Sequence, residues 1–377
     1  MWTHMRSMKE YLYQMLLEIN SMTLQPRTIM SLLLVAAAAC SKGGDPVLEE
    51  FSGRNIHYIS PIDSVKLDEY GIFMPEFVAK HRDKFIIKKH DNVNFIDILD
   101  LTKGEIIKIA KKGRALNEYI SIGSIQYDKG NLRVYDLSMQ KYNIYNLDST
   151  ILNGNESLMT HQYQFNQTPL GYIEKPFKIY HNYDKYIAVG LWENDCWYRL
   201  MNKDGLFSGG VEKIVFDELE TMADIEIATL HLSSCISIKP SGDKVVCALC
   251  NAPAISVSEI REDKLVETKR VVFNSPQLNG VNQKGMPLLQ YSGNNLKTFC
   301  NLYSTEKHIY ALYSGKSMNS TTPSYQCNYL LVYDWDLEPI KLYELDDSIN
   351  SFYIEEDILY GVSSYPESRL YVFYLND

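Results

Sequence analysis

Chemistry needs particular residue types at particular spacings, and few such groupings occur in this chain. Cys247 and Cys250 have C-x-x-C spacing, but they lie inside the apolar run Val245-Val246-Cys247-Ala248-Leu249-Cys250. Residues three apart on a strand point to opposite faces, and no second pair completes a zinc site. They are read as buried free thiols. His57, His81, His90, His161, His181, His231 and His308 are scattered; His181 and His231 fall near the starts of predicted strand repeats. A cluster there, facing a common axis, would bind a metal, whereas unrelated polar residues at strand ends are the simpler reading. Asp346-Asp347 and Glu355-Glu356-Asp357 read as solvated turns. In Leu191-Trp192-Glu193-Asn194-Asp195-Cys196-Trp197-Tyr198, two tryptophans flank a polar turn, and a hairpin closed there would put Trp192 and Trp197 on one face. Exposed, they make a ligand platform of the kind that stacks on sugar rings; packed on a neighbouring sheet, they are core, and core is favoured. No G-x-S-x-G, Walker loop, H-E-x-x-H or dinucleotide fingerprint follows residue 39. No catalytic, cofactor or metal-binding residue is assigned.

The elements that must position any site are strands. After residue 60, short alternating apolar runs recur between Gly, Asn and Asp, and helical periodicity is almost absent. Acidic or Lys turn residues followed by an apolar strand appear six times, at Asp83, Ile125, Asp184, Ser241, Glu306 and Glu355, about 40 to 70 residues apart. Each copy has room for three or four antiparallel strands, a sheet too small to cover both its faces. Stacking such sheets radially covers them, which predicts an all-β, six-bladed propeller over residues 59–377. The sixth copy ends one strand short, and Ile62-Asp63-Ser64-Val65-Lys66-Leu67 offers the missing strand. Joining the two would close the ring with N- and C-terminal strands in one blade and leave no open edge.

In front of this domain, Arg27 precedes the apolar stretch Ile29–Ala39, whose eleven residues fall short of the ~20 a bilayer-spanning helix needs. That order reads as an export signal, residues 1–39. Residues 1–21 stand before a signal already complete from Met22, which points to Met22 as the start. Ala37, Ala38 and Ala39 resemble the small-residue stretch of a lipobox, which makes Cys40 the lipid attachment site. The segment 40–58 is then a lipidated tether. Removing residues 1–39 takes away three basic and two acidic residues, leaving 34 basic, 45 acidic and a net charge of −11. Such a balance excludes a footprint for nucleic acid or for anionic lipid.

The stretch Lys112 to Asp148 resembles the exported TolB-like six-bladed propeller lipoproteins of Bacteroides-type bacteria. In that family a loop of the form G-[RK]-G-P-[GN]-E-[YF] precedes a blade. Here Gly113, Arg114, Asn117, Glu118 and Tyr119 match, and Ala115 and Leu116 depart. The resemblance implies the fold and export, and no activity.

Together these readings give a non-catalytic binding or scaffold lipoprotein of the cell envelope, anchored through Cys40 and placed at the outer membrane, with an unidentified protein or glycan ligand. The alternative is a carbohydrate-active envelope enzyme with its site at the channel face. Cys40→Ala should abolish acylation and shift the protein out of the detergent phase in a phase-partitioning assay; unchanged partitioning would remove the anchor.

Overall fold

Segments such as Lys84-Phe85-Ile86-Ile87-Lys88-Lys89 and Val245–Leu249 are rich in β-branched and aromatic residues, the types that favour a pleated surface. Several are buried on both faces: Ile86 and Ile87 are inaccessible, as are all five residues from Val245 to Leu249. A strand with two apolar faces must be sandwiched between sheets, and that requirement sets the architecture.

The computed structural model describes residues 44–154, 161–164, 175–192, 195–216, 224–283 and 286–375. Cys40 and the signal segment lie outside them. Residues 1–49 form one unit, of which the described part carries a helical turn, Pro46–Glu49. Residues 50–377 form the other unit, the propeller.

Six antiparallel sheets make its blades. The innermost strands are, from blade 1 to blade 6, Pro75–His81, Ile122–Asp128, Lys175–Asn182, Ser234–Ile238, Phe299–Ser304 and Ser351–Glu355. Three further antiparallel strands follow outward in each of blades 1 to 5, and two in blade 6; in blade 1 the short strand Glu118–Tyr119 adds a fifth, parallel to its neighbour. The fourth strand of blade 6 is Asp63–Lys66, antiparallel to Arg369–Tyr374, with Asp63 opposite Val372 and Lys66 opposite Arg369. The ring is therefore closed by both ends of the domain in one blade, as expected.

Two boundaries move. Asn55–Ile59 adds a parallel fifth strand to blade 5 against Lys341–Leu345, so the proposed tether stops before residue 55 rather than at 58. Its large apolar side chains Ile56 and Tyr58 face outward and are exposed, so the strand carries no buried-face pattern to betray it. The repeat is also one strand out of phase in five of its six copies, the exception being the one that opens at Ile125, within the inner strand Ile122–Asp128. Its acidic or Lys turns join the first and second strands of each blade, so blades begin one strand before those turns. Between blades 4 and 5 a separate two-stranded sheet, Leu278–Gln283 with Met286–Tyr291, stretches the spacing there.

Apolar clusters fill the seams. Ile187, Val189 and Trp197 of blade 3 pack with Val245, Cys247 and Leu249 of blade 4. Leu330 and Val332 of blade 5 meet Phe352, Leu359 and Phe373 of blade 6. Ile86 and Ile98 of blade 1 meet Leu132 and Val134 of blade 2. Val362 and Leu370 of blade 6 meet Val78 and Leu99 of blade 1, with Leu67 beside the closing strand fully buried among them. No helix among the described residues is long and apolar enough to cross a membrane.

Deleting residues 60–70 removes the closing strand and the buried Leu67, worth about 1.5–3 kcal/mol by burial alone. Each lost ladder bond costs about 1 kcal/mol more. Against the ~5–15 kcal/mol that holds a domain together, this deletion and truncation from residue 366 should each lower the urea midpoint and expose the whole body to protease. Retention of the wild-type midpoint by either would contradict closure.

Candidate functional site

The six inner strands run side by side around the axis without pairing to one another, and the space they leave is a cavity of about 970 Å³. This is near the upper end of the range for small-ligand sites. Side chains bond across the seams where strand ladders are missing. Ser124 Oγ donates to the Ile179 carbonyl at 2.7 Å and accepts from the Ile179 N–H at 3.0 Å. Gln126 does the same to His181 with its amide, at 3.0 and 2.7 Å. Lys178 donates to the Ser234 carbonyl at 2.5 Å, the hydroxyls of Ser237 and Ser304 meet at 2.7 Å, and Asn301 donates to Ser351 at 2.8 Å. Lys80 and Glu355 close the circuit between blades 1 and 6.

Aromatic rings cross the cavity. Tyr127 of blade 2 and Tyr303 of blade 5 each meet Tyr353 of blade 6 edge to face, with centroids 5.7 and 5.6 Å apart. Burial raises all three phenols, Tyr303 to about 12, so they stay neutral hydroxyls. Five cations line the cavity, Lys88, Lys129, Arg133, Lys178 and Lys239, against three acids, Glu76, Asp128 and Asp184. Burial draws the Lys88 ammonium down to about 8, and the Glu76 carboxylate is in contact with it. His181 also lines the cavity, against Tyr186, and burial lowers it to about 4.

The model of the TolB-like 6-blade propeller-like family matches residues 61–357, from the closing strand to the first hairpin of blade 6. The chain belongs to this family. Among solved structures, an exported protein of Bacteroides fragilis NCTC 9343 is similar at 11% identity and TM-score 0.48, covering 86% of this chain and 100% of that one. The Dos1 propeller is similar at 10% identity and TM-score 0.44, covering 84% and 96%. The Cps50 (Swd1) propeller domain of Myceliophteria thermophila follows at 12% identity and TM-score 0.40, covering 80% and 97%. No curated protein matches.

In this TolB-like propeller the loop Gly113 to Tyr119 is a latch between blades 1 and 2. The Glu118 carboxylate accepts from the Ala115 N–H at 2.9 Å, and Glu118–Tyr119 pairs in parallel with Lys111 and Lys112. Tyr119 is buried, its hydroxyl 2.8 Å from that of Tyr145 and 2.6 Å from the Asn143 amide. Lys141, almost wholly buried, donates to the carbonyls of Ala115, Leu116 and Glu118 from beside the Tyr119 ring. The departures at Ala115 and Leu116 fall where only backbone atoms are used.

Trp192 and Trp197 make no platform. The register places Val189 opposite Tyr198, which sets Trp197 across from Gly190 rather than from Trp192. The two rings enter different clusters, and they are 5% and 0% exposed. Trp192 lies against Phe207 and under the Arg199 guanidinium. Trp197 donates to Ser234 Oγ at 2.8 Å and packs edge-on to His231 at 5.6 Å. His231 thus belongs to the seam between blades 3 and 4, not to the cavity.

The other histidines are also separated. His81 bonds Asp148 at 2.8 Å and Tyr127 at 3.2 Å, and His57 lies on Tyr343 at the rim of blade 5. Among the described residues, no three His, Cys, Asp or Glu converge as a metal site. Cys247 and Cys250 are buried thiols, Cys250 bordering the cavity with Cys235. The carboxylates expected in solvated turns are partly in strands instead: Glu355 ends an inner strand, and Asp346-Asp347 lie within Pro339–Ile349. Arg133 gave no sequence signal, since an arginine in Asn131–Asp136 reads as an outward-facing strand residue until blade 3 covers it.

His231 generates a pH dependence. Its Nε2 accepts from the Ile214 N–H at 2.9 Å and its Nδ1 lies 2.7 Å from the Ile227 carbonyl, which fits only the neutral ring. Burial lowers it from 6.5 to about 4. The neutral form is favoured on folding, so its contribution is full above pH 6.5 and is lost as pH falls towards 4. That is about 2 kcal/mol between pH 7 and pH 5. Urea unfolding at both pH values should show a smaller acid-induced loss in His231→Gln than in wild type; equal losses would refute the assignment.

Proposed function

We propose that this chain is a membrane-anchored, non-catalytic binding lipoprotein of the cell envelope whose ligand, a glycan or a protein segment, enters the axial cavity. The observation that carries the reading is the cavity itself: about 970 Å³, bordered by all six blades. Hydroxyl, amide and cationic groups surround rings whose faces suit sugars or side chains. The serines around it are engaged in structural bonds: Ser124 with Ile179, Ser237 with Ser304, and Ser234 with Trp197 and the His231 carbonyl. His181 meets Tyr186 and holds blade 2 through its backbone. Such fixed groups suit recognition better than turnover. The apolar stretch Ile29–Ala39 and the small residues before Cys40 support export and a lipid anchor, at the outer membrane in this reading.

Crosslinking and capture of the full-length lipidated protein from native envelopes tests the site. Cys300 is half-buried and lines the cavity, and Cys196→Ser removes the other half-buried thiol among the described residues. In that background, a bulky maleimide on Cys300 should abolish capture. Undiminished capture would move the binding surface away from the cavity.

A further inference from the structure

Resting on that reading, we infer that the cavity carries an anion subsite built on Arg133, which takes a carboxylate or phosphate group of the ligand. Arg133 lines the cavity yet is only 8% exposed. Its Nη1 donates to Asp128 Oδ2 at a long 3.4 Å. Its Nε is buried with no acceptor among the described residues. The planar guanidinium is of the kind that binds two oxygens of a carboxylate or phosphate at once. A buried charged donor without a partner is costly to a fold, so its presence in a cavity wall points to a partner that arrives from outside.

The surroundings agree. Gln126, opposite Arg133 in the ladder, is tied to the His181 backbone and does not compete for the guanidinium. His181 is held neutral by burial and adds no second charge. Lys129, exposed in the turn beside Asp128, makes the approach cationic. Asp128 is the competitor: nearly half-exposed and bonded at the limit of range, it neutralises Arg133 only in part.

Calorimetric titration of the full-length, detergent-solubilised protein at low ionic strength, with glucuronate, inorganic phosphate and glucose as probes, tests the subsite. At least one anion should bind. Arg133→Lys keeps the charge but removes the planar guanidinium, and should weaken that anion at least tenfold while leaving any glucose binding unchanged. Asp128→Asn should tighten it several-fold, which a merely structural Arg133 would not produce, and which reads out even where the Arg133 variant fails to melt cooperatively. A response to glucuronate alone assigns a carboxylate, and one to phosphate alone a phosphate; either upholds the subsite. No anion binding to wild type, or anion binding indifferent to both substitutions, overturns it. If it falls while the maleimide on Cys300 still abolishes capture, the cavity remains the binding site and only its anion chemistry is wrong.

Discussion

A sheet of four short strands with apolar residues on both faces cannot exist in water alone, and everything else in this molecule follows from that constraint. Each blade must be covered on both sides, six blades satisfy one another only in a closed circle, and the circle requires the last blade to be joined to the first. The chain meets the demand by returning Asp63–Lys66 to the edge of Arg369–Tyr374, with Ile62 N–H donating to the Val372 carbonyl at 2.7 Å. Leu67 then enters the seam between blades 6 and 1. Asn55–Ile59 laid on blade 5 ties the same N-terminal segment across two adjacent blades.

Closing the ring creates the cavity and sets its chemistry. Inner strands diverge too far to share a ladder, so their backbone groups need partners from side chains. Ser124, Gln126, Lys178 and Ser304 supply them, which is why short polar residues interrupt the apolar pattern there. In the proposed reading, the same hydroxyls and amides that hold the blades together are the groups a ligand meets. Structure and recognition draw on one set of residues, and the polar inventory of the inner strands is not evidence of catalysis.

Much of this was legible in the sequence, and the failures have physical causes. The acidic or Lys turns are visible because a two-residue hairpin needs residues that tolerate unusual backbone, as Arg82, Lys129, Tyr183 and Glu356 do at positive φ. They mark the first hairpin of each blade and not its first strand, hence the phase error. Long apolar runs such as Val245–Leu249 gave no alternation because both faces are covered, so burial was readable there but orientation was not. The pairing of Trp192 with Trp197 failed on register, which the identity of the residues between them does not determine. Arg133 was invisible because its burial depends on a blade more than forty residues away, whose His181 lies close enough to feel its charge.

The charge distribution carries the last step. After residue 39 the chain is strongly acidic, at −11, yet the cavity wall holds five Lys and Arg against three acids. Outward, the negative surface opposes adsorption to anionic polymers in general. Inward, low-dielectric walls make each remaining positive charge count for more than it would in water. Lys88 is matched by Glu76 and Lys239 by Asp243, at 3.4 Å for the second pair, whereas Lys178 meets a carbonyl and Arg133 a distant carboxylate. A rigid ring can hold such incompletely matched cations because the apolar seams, not the channel, stabilise it. In the proposed reading, the resulting selectivity is for an anionic group small enough to enter, presented on a body that the outer surface does not repel.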